Sequence, residues 1–197
     1  MPLDLNDKAV ITPSRGFIFT APVGTEAPTP AEISAFNPDE EATYFSGWDV
    51  IGHTARDELP QFGFDGGDTE TRGTWQNANL REVVTEVAAD YVTFNVHNFD
   101  QIGLGYYYGV EDPGTTPGRF DVQDAPTKGL ERALLIVIMD GDVNIAFYAP
   151  KVSIRREDAI ELDVENLAYL PLRATILKLT GSPLMSWISE DTGVNIS

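Results

Sequence analysis

Apolar and polar residues alternate along most of this chain in runs too short for helices. Val92, Phe94 and Val96 alternate with Thr93, Asn95 and His97, the pattern of a strand with one face buried. Gly16 to Thr20 (GFIFT) reads as another strand, closed by Pro22, Gly24, Pro28 and Pro30. From Gly47 the run WDVIGHT suggests a third, with Trp48 and Val50 on one side. Leu80 to Val87 fits a helical stripe, but its β-branched Val83, Val84, Thr85 and Val87 favour a strand, paired with 91–97 through a turn at Ala88 to Asp90. The strongest hairpin joins Ala133–Met139 to Val143–Ala149 across Asp140-Gly141-Asp142. Beyond Pro150, Val152 and Ile154 alternate with Lys151, Ser153 and Arg155. In Ile160 to Glu165 the apolar Ile160, Leu162 and Val164 alternate with Glu161, Asp163 and Glu165, so the predicted strand carries one wholly acidic face. Leu172 to Leu179 closes the series.

One helix is predicted over about 98–108, with Asn98 as N-cap, Gln101 three residues on and Gly109 after the end. About nine strands and one flanking helix make a mainly β fold of sandwich or barrel type. The connections are long. Residues 1–15 read as an N-terminal arm, 16–180 as a single β domain and 181–197 as a C-terminal tail containing Trp187. The acidic stretch 31–46 reads as turns, and 109–129 as a loop rich in Pro and Gly. Residues 56–77 form a long loop or hairpin in which Phe62 and Phe64 alternate with polar neighbours, so an ordered, partner-covered hairpin is expected there.

Composition narrows the function. The 197 residues carry 13 basic and 31 acidic side chains, a net charge of −18. Such a surface repels a phosphate backbone unless it holds a strong basic patch, and the nearest thing to one, Arg155-Arg156, runs directly into Glu157-Asp158. With no cysteine, disulfides and thiolate chemistry are excluded. The longest apolar run, Ala133 to Met139, is far short of the roughly 20 residues that span a bilayer, and no signal peptide can be read at the start.

Catalytic machinery is not legible. No nucleophile motif, phosphate-cradling loop or paired metal-binding histidines occur. The run Gly103 to Gly109 has the wrong spacing for a dinucleotide loop, and Asp140-Gly-Asp142-Val-Asn144 lacks the rest of a calcium loop. His53 and His97 stand alone, and each is better read as a structural residue. Carboxylate pairs such as Asp65/Asp68/Glu70 arise by chance among 31 acids, and a solvated or lumen-lining face is the simpler reading. The chain is expected to be neither an enzyme nor a cofactor carrier.

A set of residues in order resembles one family. Gly52-His-Thr-Ala-Arg56, Leu59-Pro60-Gln-Phe62, Gly66-Gly67, Gly73-Thr-Trp75-Gln76 and Leu80-Arg81-Glu82 are followed by Tyr91-Val-Thr-Phe94, Asn98-Phe-Asp100, Leu104 to Gly109 and Asn144 to Val152. Together they resemble the major tail tube proteins of long-tailed, non-contractile bacteriophages, particularly those of actinobacteria, over roughly residues 9–180. The resemblance implies a β-sandwich with a flanking helix and no added immunoglobulin-like domain. Six subunits would form a ring with a continuous inner barrel, and the rings would stack around a tape-measure protein into a virion tail, assembled in the host cytoplasm. Tail-tip and tail-terminator proteins would bound the tube, and genome DNA would pass through without specific binding. On that basis Phe62, Phe64, Asp65, Asp68, Glu70 and Arg72 are candidate interface residues, and Glu161, Asp163 and Glu165 are candidate lumen acids. Two other readings are a tail terminator or connector ring, and a monomeric acidic binding module for sugar or Ca²⁺ using Trp48, Trp75 and the Asp65/Asp68/Glu70 cluster.

Overall fold

A computed structural model describes residues 5–124 and 128–194. Its elements in chain order are β1 (Arg15–Ala21), α1 (Pro30–Ala35), β2 (Asp49–Val50), β3 (Gln61–Asp65), β4 (Thr69–Thr74), β5 (Asn77–Val84), β6 (Ala89–Val96), α2 (Gln101–Tyr108), β7 (Leu130–Asp140), β8 (Val143–Arg156), β9 (Leu170–Ile176) and β10 (Ser186–Ile188). One antiparallel sheet runs β2-β1-β7-β8-β9-β6-β3, with β10 on β8, while β4 and β5 pair only with each other. The sheet folds over on itself as a sandwich does and does not close into a barrel.

The run Ala133 to Val137 is buried without interruption because both faces of β7 are covered. On one face Leu134 and Ile136 meet Ile18, Phe147 and the inward residues Val92, Phe94, Leu170 and Leu172 of the opposing strands. On the other, Ala133, Leu135 and Val137 pack with Phe19, Tyr148, Trp48, Ile33 of α1 and Phe36 just past its end. Phe36 and Phe45 stack at 5.0 Å, and Phe19 meets Phe45 edge-on at 5.4 Å. A bulge keeps β8 in phase with both layers. Arg132 pairs with Val152 but Leu134 with Ala149, so β8 carries one extra residue at Pro150–Lys151. Phe147 and Ala149 therefore join the same core as Val152 and Ile154 despite opposite parity. Pro150 sits where a ladder N–H is dispensable.

Several sequence expectations are corrected. Residues 30–35 form a helix rather than turns: Thr29 and Glu32 make a reciprocal capping box and Pro30 occupies the first turn. The Asn144 side chain then donates to the carbonyls of Ile33 (3.0 Å) and Phe36 (3.1 Å) at the far end of that helix. The N-cap of α2 is Asp100, whose carboxylate accepts from Gly103 N at 2.9 Å, whereas the Asn98 side-chain oxygen Oδ1 accepts from His53 N. Of WDVIGHT only Asp49–Val50 form a strand, Thr54 makes an isolated bridge to Val96, and Ile51 is buried in place of Val50. The turn at 88–90 does not exist, since β5 pairs with β4 and β6 with β3. Residues 186–188 form β10 against Tyr148, Phe147 and Ala146. Residues 160–165 form no strand, so the acidic strand face proposed for Glu161, Asp163 and Glu165 is not formed. Those three lie on an exposed loop, where the Asp163 carboxylate accepts from Glu165 N at 3.0 Å.

Candidate functional site

The sheet ends in a long ribbon. β3 and β6 pair from Gln61↔Thr93 to Asp65↔Ala89. Gly66 and Gly67 then take left-handed conformations (φ 73° and 83°), which residues with a Cβ adopt at a cost. Past this hinge the Asp68 carbonyl accepts from Thr85 N at 2.8 Å, and β4–β5 continue from Thr69↔Val84 to Thr74↔Asn77. The excursion therefore spans β3 to β6, with its tip at 74–77, rather than ending at residue 77.

Beyond the hinge this ribbon is an arm with almost nothing against it. Every residue of β4 is exposed, and in β5 only Val83 is even half-buried. Trp75 at the tip is 98% exposed, and Leu80, Val84 and Val87 are exposed as well. A lone two-stranded hairpin is marginal in water, so an arm of this length carrying apolar side chains is built to be covered.

Its root, in contrast, is locked. Gly63 has no side chain because the Tyr91 ring lies across it: a Cβ there would sit 2.7 Å from the ring. The Arg173 guanidinium caps the other side of that ring, 3.6 Å from its centroid. Arg173 also pairs with Asp65 at the end of β3 and with Glu157 at 3.2 Å. Burial by itself would lower the Arg173 pKa, but the bond from Asp65 and the Glu157 charge outweigh it and raise the pKa above the usual value.

The candidate residues divide between root and arm. Phe62 is half-exposed and folded inward, its ring 4.9 Å from Phe147 and 5.2 Å from Trp187. Phe64, by contrast, is exposed. Asp65 belongs to the root, Asp68 supplies its backbone carbonyl beyond the hinge, and Glu70 pairs with Arg72 at 3.3 Å along β4. Trp48 is 9% exposed and packs edge-on against Tyr148, so it has no face to offer a sugar. His53 is exposed at the surface, and the His97 ring contacts the Ala168 carbonyl at 2.9 Å. Among the described residues no group of three His, Cys, Asp or Glu is placed to hold a metal ion. No helix among them is long and apolar enough to cross a membrane. Sequence reasoning missed Arg173, whose signal was a single charge inside the apolar run LPLRATI.

Comparison with known proteins places the chain among phage tail proteins. The family model described as phage tail tube protein matches residues 3–197. The Major tail protein Gp23 of Mycobacterium phage D29 is 46% identical over 188 residues, 94% of this chain and 93% of that protein. The Major tail protein Gp23 of Mycobacterium phage L5 is 44% identical over the same shares. These relatives are structural proteins of actinobacterial phages, as the sequence resemblance implied. The chain belongs to the phage tail tube protein family.

Proposed function

We propose that this protein is the repeating subunit of a phage tail tube in which six copies form a ring and rings stack around a tape-measure protein. The exposed β4–β5 arm carries this reading. It extends well past the packed sandwich and presents Trp75, Leu80 and Val84 to solvent, with Phe64 of β3 exposed before the hinge. An arm that buries on a different surface of the next copy makes a heterologous contact, and such contacts propagate into open assemblies where the rotation does not close a ring. The open sheet also keeps edges at β2 and β3, which pairing between subunits would cover. The net charge of −18 suits a conduit, because acidic walls repel phosphates and let DNA slide past unheld. Tail-tip and tail-terminator proteins would set the two ends, and the host cytoplasm would be the place of assembly.

Negative-stain electron microscopy with sedimentation tests the reading. Wild-type protein, alone or seeded with tail-tip complexes, should give hollow tubes of uniform diameter. A variant with Gly67–Glu86 replaced by an Asn-Gly turn keeps the β3–β6 pairing and should remain a folded monomer. Tubes from that variant would take the arm out of the mechanism.

A further inference from the structure

A second segment of the chain is built to be covered, and the molecule carries a groove that matches it. Residues 160–165 alternate apolar and acidic side chains with the period of a strand, yet they form none. Leu162 is 81% exposed, Val164 is 102% exposed and Leu167 is exposed too. Local preference and observed structure disagree here, and in natural sequences such conflicts are few. A segment that pairs or packs only in the assembled state resolves the conflict.

The groove, about 360 Å³, lies between β1 and β7 on one side and residues 54–62 on the other. Phe17, Ile138, Leu59 and Phe62 give it an apolar lining, and Arg15 and Arg56 are its charged residues, with no carboxylate in the lining. Arg15 pairs with Asp39 at 3.6 Å in a solvent-exposed contact of little worth that a better partner can replace, and its guanidinium lies 5.5 Å from the centroid of the groove's Phe17 ring. An apolar lining with two guanidinium groups complements a segment whose alternate side chains are aliphatic and carboxylate.

The chain's own loop is poorly placed to fill its own groove. Glu161 lines a cleft with Glu58, Tyr91 and Thr93, on the face of β6 opposite the core residues Val92 and Phe94, and this cleft shares only Phe62 with the groove. The groove instead reaches Ile18 and Ile136, on the core side. We propose that Ile160–Leu167 of one copy docks in the groove of a second copy, with Leu162 and Val164 on the apolar lining and the flanking acids against Arg15 and Arg56. This rests on the tube reading and adds a second contact, distinct from the β4–β5 arm. It also gives Glu161, Asp163 and Glu165 a role between subunits.

The absence of cysteine makes the test clean. Leu59→Cys and Val164→Cys are introduced singly and together, and assembled tubes are treated with a short bis-maleimide before denaturing electrophoresis. The double variant should give a ladder of dimers and higher multimers that neither single variant gives. In parallel, Arg15→Glu with Arg56→Glu should lose tubes while the monomer keeps its circular dichroism, and adding Glu161→Arg with Asp163→Arg should restore them. Wild-type protein without tubes would overturn the tube reading and this contact with it. Tubes with no ladder and no rescue would overturn the groove contact alone. So would a cross-link confined to one chain, or a ladder from Trp75→Cys with Leu59→Cys in its place.

Discussion

Arg173 in the middle of β9 reaches Asp65 at the end of β3, and between them the Tyr91 ring is held against Gly63. The pairing matters because Asp65 is the last residue before the Gly66–Gly67 hinge. It fixes where the arm leaves the sandwich while the arm itself stays uncovered. A rigid root under an exposed arm limits the ordering cost that each subunit must meet on assembly.

Removing Arg173 should therefore loosen the root more than it unfolds the domain. Arg173→Met leaves two exposed carboxylates free and a Tyr91 ring without its cap, so we expect a loss of about 1 to 2 kcal/mol. Urea denaturation measures this. Hydrogen exchange should rise from Gly66 to Ala88 well beyond the rise in the β7–β8 core, which would separate a root effect from general destabilisation.

Phe62 and Phe64 stand two residues apart and should behave oppositely. Phe62 touches Phe147 and Trp187, so Phe62→Ala is expected to cost about 2 kcal/mol of monomer stability, less than a fully buried ring. Phe64 is exposed, so Phe64→Ala should leave the thermal midpoint within about a degree of wild type while reducing tube yield. A fall in midpoint for Phe64→Ala would place that ring in the fold rather than at the interface.

Alternation in the sequence located β6, where one residue in two faces a core, and unbroken apolar runs located β1 and β7, both of whose faces are covered, conditions set within each strand. Alternation failed where the partner lies outside the strand. The run 160–165 has the same period as β6 but lacks a neighbour in its own chain, so only a loop results. Pairing of 80–87 with 91–97 followed from adjacency in sequence, whereas the Gly66–Gly67 hinge makes residues 69–74 the nearer partner. The capping box at Thr29 and Glu32 was readable in principle, but Pro28 and Pro30 gave the stronger turn signal. Phe64 could be picked out as an exposed aromatic in a glycine-rich hairpin, while Arg173 could be found only once three strands were aligned.

The capping box supplies a pH test with a definite sign. Backbone and side-chain bonds from Thr29 lower the Glu32 pKa below its ordinary 4.5. A depressed carboxylate adds stability that is fully present above the unfolded value and is lost as pH falls through the lower folded value. The stability difference between wild type and Glu32→Gln should thus be constant from pH 7 to 5 and shrink as pH falls below 4.5, disappearing once pH has passed the lower folded value. Thermal melts across that range measure it, and a difference that persists in acid would assign it to packing rather than to the charge.

Trp75 offers a direct reading of what the arm does. The three tryptophans occupy separate environments: Trp48 is in the core, Trp187 is partly covered by Phe62 and Phe147, and Trp75 is open to water. With Trp48→Phe and Trp187→Phe in place, the remaining indole should emit at long wavelength in the monomer and be fully accessible to acrylamide. Burial of the tip against another copy removes water from a large apolar ring, so on assembly the emission should shift to the blue and quenching should fall several-fold. Both changes should follow tube mass in sedimentation and reverse on dissociation. A tip that stays quenchable inside complete tubes would mean that the flanks of the arm, Leu80 and Val84, make the contact and that Trp75 faces outward.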